Sequence, residues 1–226
     1  MITPAFIWLI ASHITVCFPA YLGYKLNFQK WKPCIMILIF NAFFSSLYHW
    51  KDQDNFEKNF NFLGTGPFVH KYMDYYCSYL SFFITIFYTL KITNNDDISI
   101  YIYLMNLISV FLALISPQWY AFMIIIIFFM LIYLINSNKQ IFCLIFNILK
   151  KKIFLFFLTV LFFSISMYMQ YNLCVKYNSG FYYQIYHGIW HFFLFLSAGM
   201  CIILNKYLLI FSDDSEKNTR LLCCNV

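Results

Sequence analysis

The chain has 226 residues, of which 62% are hydrophobic, 23% aromatic and only 11% charged, and it carries a formal net charge of +6. A soluble domain averages about 25% charged residues, so this composition excludes a water-soluble globular protein and points to a polytopic membrane protein. The charge does not point to nucleic acid either, because the lysines flank apolar runs and form no basic patch on a polar segment.

A helix that crosses the hydrocarbon core needs about 20 apolar residues. Seven stretches qualify or nearly do, at roughly 4–24, 33–50, 71–90, 98–115, 119–136, 152–173 and 182–205. The first follows Met1-Ile2-Thr3-Pro4, lacks the basic leader of a signal peptide and is expected to remain as a helix. The second ends at His49, and the 51–70 loop after it carries Gly64-Thr65-Gly66-Pro67, a turn signal. The third has Asp74 about one turn in. The fourth and fifth are divided by Ser116-Pro117-Gln118, where a proline suits a tight turn between spans. The seventh opens with Tyr186-His187-Gly188-Ile189-Trp190-His191. The expected fold is all-α, with a seven-transmembrane helix bundle over 1–211 and a tail over 212–226 that holds Cys223 and Cys224.

Orientation follows from the basic residues. Of the 15 Lys and Arg, eleven fall on one side of this arrangement and four (Lys51, Lys58, Lys71, Lys176) on the other. The richer side belongs in the cytoplasm. The N-terminus is then outside and the C-terminus inside, which an odd number of spans requires.

The same topology brings polar residues to one depth. His49 ends an outward-running span, Asp74 begins an inward-running one, and His187 and His191 occupy the first turns of another. A polar pair inside a membrane helix is expensive unless it has a role. Residues four apart share a helix face, so His187 and His191 can ligate one ion, and His49 would add a third nitrogen. Three nitrogens and a water make an open tetrahedral zinc site of the catalytic kind. Asp74 would orient that water or a ligand histidine, or accept a proton. Ser45 precedes His49 by four and would place a hydroxyl beside the metal. His13 and His70 are expected at the headgroup level, where amphipathic side chains gather. Two histidines on one turn of one helix argue against a di-histidine haem. Cys17, Cys34, Cys77, Cys143, Cys174 and Cys201 read as small apolar residues, although Cys77 and Cys174 both lie toward the outer side, within reach of a pairing.

Ser45-x-x-x-His49, Asp74 and His187-x-x-x-His191 resemble the pattern of a superfamily of seven-span hydrolase-like membrane proteins. It includes alkaline ceramidases, adiponectin receptors, the transmembrane protein 8 family and myomaker. The terminal Leu221-Leu222-Cys223-Cys224-Asn225-Val226 and the short chain look most like the branch of myomaker and transmembrane protein 8. This resemblance implies a multi-pass plasma-membrane protein, reached through the Golgi, that promotes cell–cell fusion of muscle precursors (myoblasts) during myogenesis. It also implies a homodimer, palmitate on Cys223 and Cys224, and a second fusion protein with an ectodomain as partner. Adjacent cysteines just past a span suit acylation, since two lipid signals give stable anchoring. The outer loops are too short to bridge two cells, so such a protein would act locally on membrane lipids.

The alternative is a zinc-dependent lipid amidase or esterase of the ceramidase or phospholipase kind, with Asp74 as base and Ser45 helping to hold the oxyanion. Catalytic activity is not implied by the fusion reading. A receptor that couples to a cytoplasmic partner ranks third, because the inner loops are short.

Overall fold

The computed structural model describes residues 3–52, 67–90, 98–115, 140–177 and 180–223. The expected fifth span at 119–136 and most of the 51–70 loop lie outside these residues. Every element among the described residues is helical: α1 (Pro4–Ser12), α2 (Cys17–Asp52), α3 (Pro67–Leu90), α4 (Ile98–Ile115), α5 (Gln140–Tyr168), α6 (Val175–Tyr177) and α7 (Gly180–Cys223). A 3₁₀ turn, His13–Val16, links α1 to α2, and a π turn, Met169–Cys174, follows α5.

Pro4 starts α1, where its missing N–H would have had no partner anyway, and Thr3 caps it by accepting the Phe6 N–H (3.2 Å). The long α2 is broken at Asn27, which adopts an extended conformation (φ −166°, ψ 91°). Its side-chain oxygen accepts the Lys30 N–H (3.1 Å), so Asn27 serves as the N-cap of a new helical arm. The two arms run antiparallel, because Phe6 meets Trp50 (ring centroids 5.3 Å) and Gly23 lies against Trp31 and Ile35. The stretch Pro4–Trp50 therefore supplies both the first and the second apolar arm.

Three stretches among the described residues are long and apolar enough to cross a membrane: Pro4–Trp50, Lys152–Tyr177 and Gly180–Tyr207. A shorter apolar stretch covers Tyr103–Ala113. The chain is thus a helical membrane-embedded protein. α3 falls short on hydropathy because Lys71, Asp74, Ser78, Ser81, Thr85 and its tyrosines dilute it. It buries Asp74, Ser81 and Thr85 among other helices, while Lys71 stays exposed. Cys77, Leu80, Ile84 and Phe87 pack into the main core with Cys34, Ile35 and Leu38 of α2 and Phe195 and Ile202 of α7. Tyr79 and Phe83 pack against Leu112 and Ala113 of α4.

A polar seam joins α2 to α3. Asn41 donates to Ser81 Oγ (3.3 Å) and accepts from Ser78 Oγ (2.9 Å), and the Cys34 thiol meets the Thr85 hydroxyl (3.3 Å). Near the cytoplasmic end expected from the charges, Lys30 Nζ donates to Asn205 Oδ1 (2.7 Å), and Asn205 Nδ2 donates to the Thr89 carbonyl (2.7 Å). Polar groups in an apolar solvent must find partners within the protein, and these pairings fix how the second arm, α3 and α7 sit against one another. α5 closes the far side of α7 through Ser166 Oγ, which donates to the Trp190 carbonyl (3.3 Å), and through Phe162 on Phe193. Away from these contacts, Leu107 and Phe111 on α4 and Phe154 and Phe157 on α5 turn outward.

Candidate metal centre

The seam opens at one end of the bundle into a cluster of ionisable and polar side chains. Ser45 and His49 come from the second arm of α2, Asp74 from α3, His187 and His191 from α7, and His13 from the 3₁₀ turn after α1. None of the six is more than 5% exposed. His49 Nε2 and His191 Nε2 face each other at 3.4 Å, and Ser45 Oγ lies 3.3 Å from the same His191 nitrogen. Ser45 also hydrogen-bonds the Asp74 side chain. The His187 ring is 4.4 Å from that of His49 and 4.8 Å from that of His191. The five residues expected at the site lie near one another, but of the three expected ligands only His49 and His191 belong to the group whose ligand nitrogens come together; His187 is beside them by ring contact.

His13 stands with them, and here the expectation is corrected. Its side chain is buried among the helices and not exposed. Its ring lies 4.0 Å from His191 and 5.9 Å from His49. Ligand nitrogens of His13, His49 and His191 all lie within 4.8 Å of one another, so this buried group could hold a metal ion. The signal was available in the sequence. Nine residues beyond Pro4, at 1.5 Å each, put His13 about 13 Å into the helix, well past a headgroup layer. Its Nδ1 reaches the carbonyls of Leu9 (2.9 Å) and Ile10 (3.3 Å). A proton on Nδ1 satisfies them and leaves Nε2 as a lone pair facing inward, the arrangement usual for metal-ligating histidines.

Whether this donor set suits a metal can be tested on its orphaned atoms. His13 Nε2, His49 Nδ1, Asp74 Oδ1, both nitrogens of His187 and His191 Nδ1 are buried with no hydrogen-bond partner. Leaving one such group unsatisfied costs about 1–3 kcal/mol; a bound ion would satisfy His13 Nε2 or one nitrogen of His187, but not the Nδ1 atoms of His49 and His191, whose Nε2 atoms face each other. The separation of 3.4 Å between His49 Nε2 and His191 Nε2 is longer than an ordinary hydrogen bond. It is close to the distance of about 3.3 Å between two tetrahedral ligands that each bond an ion at about 2.0–2.1 Å. The residues fit a cation with imidazole ligands.

Other expectations fall elsewhere. The His70 side chain and Cys224 lie outside the described residues, and Cys223 is the last residue of α7, its side chain also undescribed. Cys77 and Cys174 are free thiols, not a disulfide.

No curated protein and no solved structure matches the chain. A family model does match, over residues 2–192, which include all six residues of the cluster. That match spans most of the sequence, and the chain accordingly belongs to the membrane-protein family described as protein of unknown function, DUF3522.

Proposed function

We propose that this chain is a seven-span membrane protein with its N-terminus outside and its tail in the cytoplasm, and that it uses a zinc ion in the histidine cluster to hydrolyse an amide or ester bond of a membrane lipid. His49 and His191 would hold the ion together with a third histidine: His13, whose ligand nitrogen lies within 4.8 Å of theirs, or His187, the third ligand expected from the sequence. Zinc suits a nitrogen-only donor set, and when bound it supplies a Lewis acid that polarises an acyl carbonyl and acidifies water.

The observation that carries this reading is the position of Ser45, whose hydroxyl touches both His191 and Asp74. That arrangement links an ion ligand, a hydroxyl donor and a carboxylate. Asp74 is set to take a proton from an attacking water and to return it to the departing amine or alcohol. Ser45 is set to hold the acyl oxygen as negative charge develops there. Burial between helices excludes bulk water and strengthens both effects.

The second reading is promotion of cell–cell (myoblast) fusion at the plasma membrane by a palmitoylated homodimer. It rests on the resemblance and on the cysteine pair at the end of α7. That helix has 44 residues, about 66 Å at 1.5 Å each, and so runs well past a hydrocarbon core of about 30 Å toward the site of acylation.

One experiment separates the two. Purified protein in detergent is given vesicles that contain ceramide or lysophospholipid, and fatty-acid release is followed in the wild type and in His191→Ala. Release that falls by at least about 100-fold in the variant, the scale of losing a main catalytic element, supports hydrolysis. No release, together with content mixing between cells that express the chain, supports fusion instead.

A further inference from the structure

Lysines from three helices meet at the end of the bundle opposite the histidine cluster. Lys30 stands nineteen residues before His49 on the second arm of α2, about 28 Å along it at 1.5 Å each. That puts it near the far boundary of a hydrocarbon core about 30 Å thick. Two helices are broken at this level, α2 at Asn27 and α5 at Lys152, whose backbone leaves the helical range (φ −135°, ψ 33°). One short stretch of α7, Asn205-Lys206-Tyr207, ties the two breaks together. Lys30 Nζ donates to Asn205 Oδ1 (2.7 Å), and Asn205 is itself anchored on the Thr89 carbonyl (2.7 Å). Lys152 Nζ lies over the Tyr207 ring, 4.5 Å from its centroid. Lys206, between those two residues in sequence, is exposed, and so is Lys32.

The described side chains supply no carboxylate to this end. Asp74 is the one carboxylate among them, and it belongs to the histidine cluster. Asp213, Asp214 and Glu216 follow on α7 at least six residues beyond Tyr207, about 9 Å farther along the helix, and Asp96 and Asp97 lie outside the described residues. The same level carries aromatic rings turned outward. Tyr24 and Phe28, on either side of the Asn27 break, are both exposed and pack on each other (5.6 Å). Exposed aromatic rings with lysines beside them mark the depth of the lipid headgroups. A cluster of cations held at that depth meets lipid phosphates.

A bias of lysines toward one side of the membrane fixes orientation, but it does not require two of them to be held by their Nζ atoms on one stretch of a third helix. We infer that Lys30, Lys152 and Lys206, with Lys32 beside them, form a binding surface for the phosphate of an anionic phospholipid. The proposed orientation assigns that lipid to the cytoplasmic leaflet, where anionic headgroups attract basic residues close to a span. The inference is independent of the zinc centre, which lies at the other end of α7.

The test uses the full-length protein in neutral detergent, with native mass spectrometry to read bound lipid and phosphatidylserine, phosphatidylcholine and inorganic phosphate as probes. The wild type is expected to retain phosphatidylserine over phosphatidylcholine, and excess inorganic phosphate is expected not to displace it. Each lysine near an anionic headgroup contributes about fivefold in affinity. Lys32→Gln combined with Lys206→Gln, both at exposed positions that the fold does not use, should therefore weaken retention by about 25-fold, and adding Lys152→Gln should bring the loss to about 100-fold. Arginine at the same three positions should keep the binding. Lys71→Gln with Lys176→Gln, at the opposite end of the bundle, should leave it unchanged. Equal loss in that opposite-end pair would mean diffuse attraction and overturn the inference. So would phosphatidylcholine held as tightly as phosphatidylserine, or full retention in the triple glutamine variant. Displacement by inorganic phosphate would assign the lysines to a soluble anion and overturn the lipid as its source.

Discussion

Ser45 stands where two different demands on one hydroxyl meet. It is fully buried, 3.3 Å from His191 Nε2 and hydrogen-bonded to Asp74. An ion ligand must keep a lone pair in place, whereas a group that stabilises developing charge must offer a proton. Ser45→Ala separates these roles, because it removes the hydroxyl without removing any imidazole. Zinc content, read by mass spectrometry, is expected to stay at the wild-type level. Stability should change by only about 1 kcal/mol, the net worth of an ordinary hydrogen bond. Hydrolysis should fall by about 10²–10³ in kcat, as it does when one oxyanion donor is lost. A variant that loses its zinc would make Ser45 a structural support of the ligands and not a participant in the chemistry.

The spacing of polar residues on apolar helices says more than any one of them. On α2, Asn41, Ser45 and His49 are four apart. On α3, Asp74, Ser78, Ser81 and Thr85 follow the same helical period. Each stripe is legible in the sequence, because a polar residue that recurs every three or four positions in an apolar helix must face other protein. The pairing of the stripes was not legible, since periodicity assigns a face to a helix and no partner to that face. For His13 the sequence held a depth along the first helix but no partner, because one histidine in an apolar run has no period. What places it is the approach of the first span to α7 at Gly188 and Gly199, where a Cβ would run into the Trp8 and Phe18 rings. Alanine raises helix propensity by about 1 kcal/mol over glycine, but the rings must move and the Trp8 bond to the Ile185 carbonyl must break, and overpacking typically costs about 1–3 kcal/mol. Gly188→Ala and Gly199→Ala are therefore each expected to lower the thermal midpoint in detergent. Combined, they should lower it further and weaken zinc binding as His13 is drawn away. A midpoint that rises on either change would mean that the first span is not held at these two glycines.

At the scale of the whole molecule, composition alone marked a membrane protein, and the described helices agree with it. Composition could not show which side chains face lipid, because apolar residues surround every helix. The structure separates them. Leu107, near the middle of α4, is 58% exposed, whereas Leu80 and Ile84 of the neighbouring α3 are buried in the core. Exposure means different things in different solvents. On a water-facing surface, Leu107→Lys would change stability by no more than about 0.5 kcal/mol and would improve solubility. In the hydrocarbon of a bilayer, a lysine near the centre of a helix costs about 2.5–3.5 kcal/mol of insertion free energy. The second outcome is expected. In a microsomal insertion assay with glycosylation acceptors on either side of α4, Leu107→Lys should reduce the correctly inserted fraction several-fold, and Leu107→Phe should leave it unchanged. Equal insertion of the lysine variant would place this face of α4 against water or another protein surface. The exposed aromatic face of α5 would then be the next surface to test for contact with a second copy of the chain.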